Sequence, residues 1–274
     1  MDIQPIEKAL NYALKKKTTI DESFLRYFTK SILAGVYIGF AIMICYKLAQ
    51  PFSDAHSPAT YMMTSLFFGI ALVLISYCGG ELFTGNTMAF TMSTLKGATT
   101  WKDTLYNWVT TYFGNLVGAL FFAVLIHFTG LFQHVEKSTW LMEVANTKMS
   151  ATTTELFVKG ILCNWLVCLA IWLPMNIKGD VGKIFATILV VFGFMISGYE
   201  HSIANMSLFS IALIVPHPES VTISAALHNL LPVSLGNIVG GAFFVGALNV
   251  YIFSDKKTKL KVNQTVVGQK KIAK

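Results

Sequence analysis

Charged residues are scarce in this chain. Only 13% of its 274 residues are charged and 54% are hydrophobic, whereas soluble domains carry about 25% charged residues. The four cysteines form no CxxC pair, so neither a zinc site nor a disulfide framework is predicted. The sequence also lacks a nucleophile motif, a metal-ligand set and a nucleotide loop. These absences favour a membrane protein without a cofactor or metal, and they argue against an enzyme.

Long apolar runs predict six transmembrane helices. A bilayer core of about 30 Å requires roughly 20 apolar residues per helix. The segments that meet or approach this length are Ser31–Leu48, Tyr61–Cys78, Tyr112–Leu131, Gly160–Ile177, Ile184–Val215 and Leu235–Phe253. The fifth contains an interruption, and the second is predicted to continue past its own break as a short helix from Asn86 to Leu95.

Basic residues are concentrated at the two ends of the chain. Residues 1–30 contain six Lys or Arg and residues 254–274 contain seven, whereas the loops Gln50–Thr60 and Pro216–Leu230 contain none. The positive-inside rule therefore predicts that both termini are cytoplasmic. We divide the chain into an N-terminal arm (1–30), a transmembrane domain (31–253) and a cytoplasmic Lys-rich tail (254–274). The net charge of +7 is assigned to topology and lipid contact, and no nucleic-acid partner is predicted.

The N-terminal arm has the pattern of an amphipathic helix. Ile6, Leu10 and Leu14 recur at helical spacing, and a basic run that includes Lys16 follows. The arm contains no apolar region typical of a signal peptide. Lys16 is a candidate for gating the pore, and a passive helix at the membrane surface is an equal alternative.

Two patterns, each found twice, indicate an internal duplication. The pattern G-x-E-x-x-x-x-N occurs at 79–86 and 198–205, and G-N-x-V-G-x-x-F-F occurs at 114–122 and 236–244. The two halves, about 31–131 and 155–253, each carry three spans. Because three is odd, the second half enters the membrane from the opposite face, which predicts an inverted-topology repeat.

The first pattern of each half interrupts an apolar segment. Irregular backbone at membrane depth is tolerated where it is buried in protein or lines a cavity, so the two breaks predict a site near the midplane. The restarted half-helices point their N-termini into the middle, which favours an anion there. The carboxylates of Glu81 and Glu200 are predicted to cap backbone N–H groups of the breaks, with Asn86 and Asn205 bracing them.

The second pattern predicts helix packing, whereas His201 is a candidate for function. The G-x-x-x-G pairs 114/118 and 236/240 are predicted to allow close helix packing. His201 is an ionisable group deep in the membrane, which makes it a functional candidate, with a structural hydrogen bond as the alternative.

Four motifs in order resemble the formate/nitrite transporter family over about residues 6–253. They are C-G-G-E-L-F-T-G-N-T at 78–87, Y-F-G-N-L-V-G-A at 112–119, G-Y-E-H-S-I-A-N-M at 198–206 and Gly236-Asn237. Within the family the chain most resembles the bacterial hydrosulfide channels and next the nitrite channels. The formate channels have the form Asp-Leu-Phe-Thr-Ser, from which Glu81 and Gly85 depart.

This resemblance implies an aquaporin-like homopentamer in the bacterial inner membrane, with one pore in each protomer. His201 would lie at the pore centre, facing the hydroxyl of Thr84. Two apolar constrictions would enclose the pair, and Asn164 would lie beside the pore. Lys148, in the outer loop, would attract anions to the vestibule. The constriction residues implied are Leu82, Phe194, Phe68 and Leu72.

The function predicted from sequence is a channel for small monovalent weak-acid anions, with hydrosulfide first and formate, nitrite and chloride as further permeants. Two alternatives are a nitrite or formate channel of the same family and a proton-coupled anion transporter that uses His201. Both channel and transporter require the same histidine, so the sequence does not separate them.

Overall fold

The structure, a computed structural model, describes residues 4–132 and 139–253, and every regular element in this part of the chain is helical. The first half comprises α1 (Gln4–Glu22), α2 (Phe24–Asp54), α3 (Thr60–Leu66), α4 (Ile70–Tyr77), α5 (Phe83–Leu95) and α6 (Trp101–Phe128). The second half comprises α7 (Trp140–Ser150), α8 (Thr153–Met175), α9 (Asp180–Ile196), α10 (Ser202–Ile214), α11 (Ile223–Ile238), a π-helical stretch (Val239–Ala247) and α12 (Leu248–Ile252). The predicted Lys-rich tail lies outside the described residues.

The all-helical membrane class is confirmed, but the number of spans differs from the prediction. In the described residues five helical stretches are long and apolar enough to cross a bilayer: Phe24–Asp54, Thr60–Tyr77, Trp101–Phe128, Thr153–Asn176 and Ile223–Ile252. The predicted fifth segment is missing from this set because its interruption divides it into α9, of 17 residues, and α10, of 13 residues. The short helix predicted after the first break is present as α5.

The two halves repeat the same close helix contacts. In the first half α2 packs against α6, and in the second half α8 packs against α11. A Cβ atom at Gly118 would lie 2.0 Å from the Ile32 carbonyl oxygen, and one at Gly240 would lie 2.3 Å from that of Ile161. The predicted packing role of the paired glycines is therefore confirmed in both halves.

The N-terminal arm is a helix packed on the membrane-spanning helices. The apolar face of α1 is buried through Ile6, Ala9, Leu10 and Ala13, and it contacts α5, α2 and α8. The Ser23 side chain caps a new helix, α2, that begins at Phe24 and runs on through the first span, so residue 30 lies inside this helix.

Candidate functional site

Both breaks begin at a glycine with left-handed backbone. Gly79 has φ +78° and Gly198 has φ +70°, a conformation that costs little only for glycine. Each glycine ends the helix before it, α4 or α9, as C-terminal glycines commonly do. The peptide N–H groups of Glu81 and Glu200 then donate to carbonyl oxygens of α2 and α8, which attaches each break to the first long helix of its own half.

An asparagine on the neighbouring helix holds each break. Asn115 Nδ2 donates to the Ser31 and Glu81 carbonyls at 2.7 and 2.8 Å, and Asn115 Oδ1 accepts from Phe83 N–H at 3.0 Å. Its repeat counterpart, Asn237, makes the same three bonds to its own half: Gly160 O at 2.8 Å, Glu200 O at 2.9 Å and Ser202 N–H at 2.9 Å. Each amide therefore satisfies one free N–H group of a restarted helix and two carbonyl groups.

The two carboxylates do not make the predicted backbone caps. Glu81 forms a buried ion pair with Lys16 of α1 and accepts from Tyr27 Oη at 3.2 Å. Glu200 accepts from Lys148 Nζ at 2.8 Å and from Asn205 Nδ2 at 2.6 Å. A buried carboxylate is stabilised more by a cation than by a neutral N–H group. The backbone groups of the breaks are already bonded to Asn115 and Asn237.

The predicted bracing asparagines connect each half-helix to its neighbour. Asn86 of α5 donates to Asn107 Oδ1 of α6 at 2.9 Å, and Asn205 of α10 donates to Asn229 Oδ1 of α11 at 2.8 Å. Asn229 in turn donates to the Lys148 carbonyl at 2.8 Å. The repeated arrangement places each break in a polar network whose four asparagines are buried.

A small apolar chamber lies between the breaks. Its volume of about 20 Å³ is close to that needed for a single water molecule. Four predicted constriction residues and His201 share this chamber. Its lining also includes residues that sequence reasoning missed: Ile38, Ala71, Ile75, Val167 and Val191. Nothing in the apolar pattern of their helices distinguishes these five from ordinary core residues.

Two phenylalanines and two leucines form the expected apolar walls. The Phe68 and Phe194 rings meet edge to face, with centroids 6.0 Å apart. Phe194 also stacks against the His201 ring at 6.0 Å. Leu72 and Leu82 line the same chamber and are 4% exposed. Walls of this kind offer an ion no polar groups in place of its hydration shell.

His201 is the polar residue of the chamber lining, and Thr84 lies behind it, in contact with its ring. His201 Nε2 lies 3.0 Å from Thr84 Oγ1. The ring is also the N-cap of α10, because Ala204 N–H donates to Nδ1 at 3.0 Å. An Nδ1 that accepts a hydrogen bond carries no proton, so the ring is neutral and its Nε2–H group donates to Thr84.

Asn164 lies behind Thr84 and does not line the chamber. Its Nδ2 donates to Thr84 O at 3.2 Å and to Thr87 Oγ1 at 3.0 Å. A Cβ atom at Gly241, in the π-helical stretch, would lie 2.6 Å from the same Nδ2. Asn164 therefore positions the start of α5, and the glycine opposite leaves it the necessary space.

Lys148 differs from the predicted free vestibule cation. It lies on helix α7 and not in a loop, its side chain is 19% exposed, and it pairs with Glu200, whose side chain is 5% exposed. A charge that is matched by a carboxylate attracts few distant anions. The structural equivalent in the first half is the Lys16–Glu81 pair, so each break carries one such pair.

We expect Lys148→Met to destabilise the protein by about 2 kcal/mol, because Glu200 would be left buried without its cation. The double variant Lys148→Met/Glu200→Gln should recover most of this loss. Thermal unfolding in detergent of the two single variants and the double variant provides the measurement. A variant of normal stability that loses flux only at low ionic strength would instead support the vestibule role.

A vestibule, named the inner vestibule because it lies on the α1 side of the breaks, opens next to the first break. Its volume is about 400 Å³, and α1, α2, the Gly79–Glu81 turn, α8 and α9 line it. The charged residues in this lining are Lys15, Lys16, Lys30, Glu81, Asp180 and Lys183. Lys16 pairs with Glu81, and Lys183 pairs with Asp180 at 3.1 Å.

Comparison with known proteins identifies the family. The family model described as "Formate/nitrite transporter" matches residues 4–251. The chain belongs to the formate/nitrite transporter family. The resemblance predicted from the motifs is therefore confirmed, and members of this family are transporters and channels and not enzymes.

Relatives of this formate/nitrite transporter cover most of its length. It is 46% identical to an uncharacterised transporter, YwcJ, of Bacillus subtilis, over 90% of this chain and 96% of the relative. It is 37% identical to the nitrite transporter NirC of Salmonella typhimurium, over 88% of each chain.

Two solved structures are also similar. An "FNT family ion channel" has a TM-score of 0.87 at 34% identity, covering 92% of this chain and 99% of the other. A "pentameric formate channel with formate bound" has a TM-score of 0.70 at 29% identity, covering 89% and 98%.

Proposed function

We propose that the chain is a channel for small monovalent weak-acid anions, with hydrosulfide as its main substrate and nitrite, formate and chloride as further permeants. The observation that carries this proposal is the chamber, in which apolar walls enclose one neutral histidine bonded to one threonine. A strongly hydrated or divalent ion cannot pass such walls at an acceptable cost. A weak-acid monoanion can shed part of its hydration and meet a hydrogen-bond donor at the centre.

Several features support hydrosulfide over formate. The chain carries Glu81 and Gly85 where the formate channels have Asp and Ser. HS⁻ has a single heavy atom, which suits a chamber of this size, whereas formate has three. The relative named as a nitrite transporter indicates that small inorganic anions are used within the family.

Flux in proteoliposomes at fixed pH, compared across HS⁻, nitrite, formate and chloride, tests the proposed substrate. We expect all four to permeate, with HS⁻ the fastest. A rate for HS⁻ below those of nitrite and formate would contradict the hydrosulfide assignment. Flux of none of the four would contradict the channel itself.

We also propose that the channel is a homopentamer of the bacterial cytoplasmic membrane with both termini cytoplasmic. Support for the assembly comes from the similar solved structure, which is described as pentameric. Support for the orientation comes from the concentration of Lys and Arg in the first 30 and last 21 residues. The outward face of α6 exposes apolar side chains, Val109, Phe113, Leu120 and Phe121 among them, that suit lipid or subunit contact.

The N-terminal arm is the proposed gate of the inner vestibule. Lys16 of α1 is 4% exposed and is bound to Glu81 at the first break. Burial alone would lower the Lys16 pKa, but the Glu81 carboxylate outweighs it, and the net pKa lies above its ordinary value. Lys16 therefore keeps its charge at every physiological pH, and its contribution is lost only when the pH rises through that raised pKa.

We expect Lys16→Gln to weaken the hold of the arm on the break and to raise conductance, and deletion of residues 2–20 to do the same. Conductance and its pH response in planar bilayers provide the measurement. Glu7→Gln, an exposed change on the same helix, is the control. Unchanged conductance and pH response in both variants, in correctly assembled protein, would mean that α1 is a passive helix.

A further inference from the structure

Two lysines that take no part in the ion pairs described above occupy equivalent places in the two halves. Lys30 lies six residues after the start of α2, and Lys159 lies six residues after the start of α8. At 1.5 Å per residue, both lie about 9 Å along their helices. Each gives its carbonyl oxygen to the peptide N–H of the glutamate at the nearby break, Lys30 to Glu81 at 3.1 Å and Lys159 to Glu200 at 3.3 Å.

The charges of these two lysines are not matched by a contact carboxylate. Within residues 4–132 and 139–253 the ion pairs use Lys16, Lys17, Lys148 and Lys183, so neither Lys30 nor Lys159 takes part. Both are half-buried, which limits screening by water. Glu155, one turn before Lys159, accepts from the Thr152 N–H and hydroxyl groups, and it offsets part of the Lys159 charge without forming an ion pair with it.

The surroundings of Lys30 suit an anion. Lys30 is one of the residues that line the inner vestibule of about 400 Å³, where Lys16 and Lys183 are neutralised by Glu81 and Asp180. Lys30 and the exposed Lys15 therefore leave this cavity positive. Lys30 is the better placed of the two, because its backbone is bonded to the break that leads to Leu82 and the chamber.

We propose that Lys30 and Lys159 are a repeat-related pair of anion-docking residues, one at each mouth of the pore. Each holds a small monovalent anion beside a break before the anion enters the apolar chamber. The proposal rests on the anion-channel function proposed above and adds the residues that collect the substrate. It assigns to Lys30 and Lys159 the attraction that sequence reasoning gave to Lys148.

Directional flux in planar bilayers tests the pair, with nitrite supplied to one face at a time. Lys30→Gln should lower flux from the α1 face about three- to tenfold at low ionic strength and less than about twofold at 1 M salt. Lys159→Gln should lower flux from the opposite face, by a smaller factor because Glu155 already offsets part of its charge. Lys102→Gln, an exposed lysine that does not line the vestibule, is the control for net charge and should change neither direction.

A second set of variants separates charge from folding. Lys30→Arg should keep wild-type flux. Lys30→Cys in a Cys78→Ser background should show the same reduced flux as Lys30→Gln. Its flux should return to the wild-type value when an impermeant trimethylammonium thiosulfonate restores the charge on the folded protein. The face from which this reagent acts identifies the α1 side. Equal flux for Lys30→Gln and Lys102→Gln, or an equal loss in both directions and at both salts, would overturn the docking proposal while leaving wild-type conduction intact. A wild-type chain that does not conduct would instead overturn the proposed function.

Discussion

His201→Asn is expected to lose transport of weak-acid anions by about a hundredfold or more across the range from about pH 5 to pH 8. Asparagine has no titratable proton and is too short to replace the 3.0 Å contact between His201 Nε2 and Thr84 Oγ1. The chamber would keep its apolar walls and lose its histidine donor. Flux of HS⁻ and nitrite as a function of pH provides the measurement.

The same variant should fold normally, which makes the experiment informative. His201 is the N-cap of α10 and accepts from Ala204 N–H. Asparagine is among the strongest N-cap residues, because its side-chain oxygen accepts from the same N–H position. We therefore expect His201→Asn to retain its oligomeric state and its melting temperature, whereas His201→Leu should lose stability as well.

The cap also constrains how His201 can use a proton. A doubly protonated ring would place a proton on Nδ1, where the Ala204 N–H already points, so protonation requires the ring to leave the helix terminus. A neutral ring keeps this cap and can donate through Nε2, which contacts the Thr84 hydroxyl at 3.0 Å. If His201→Asn conducts with only its pH dependence flattened, the histidine is a sensor and the anion crosses charged. Thr84→Val, which removes the hydroxyl alone, is the matched comparison.

The sequence predicts the duplication and the breaks because both depend on local residue types. A glycine in left-handed backbone ends each helix whatever surrounds it, as at Gly79 and Gly198. Glycine pairs on two long helices predict close packing because a residue without a side chain lets another helix approach. The positions of the breaks and of α5 follow from these signals.

Partners of buried charges depend on tertiary contacts and could not be predicted in the same way. Glu81 pairs with a lysine 65 positions earlier in the chain, and Glu200 pairs with one 52 positions earlier. Lys148 is therefore matched by a carboxylate that no local pattern connects to it. The sequence does carry one signal for the bracing: Asn107 and Asn229 are separated by the same interval as Gly114 and Gly236, and both brace a half-helix.

Asn115 and Asn237 are also equivalent residues of the repeated motif, and each holds its break with three hydrogen bonds. Replacing either one is therefore expected to lower the stability of the protein strongly. Asn237→Leu should destabilise the protein by about 3 kcal/mol or more, because the Ser202 N–H and the Gly160 and Glu200 carbonyls would all lose their partner in the buried interior. Asn115→Leu should have a similar cost through Phe83, Ser31 and Glu81.

Thermal unfolding and flux of the purified protein test this expectation. Asn249→Leu is the matched control, since Asn249 is a half-buried asparagine at the end of the same long helical stretch and donates only to the Val245 carbonyl one turn earlier. We expect that control to unfold near the wild-type temperature and to conduct. Asn237→Leu should unfold many degrees lower and lose flux, because the N-terminus of α10 that carries His201 would no longer be held. A melting temperature and a flux for Asn237→Leu equal to those of Asn249→Leu would mean that the break is fixed by helix packing alone.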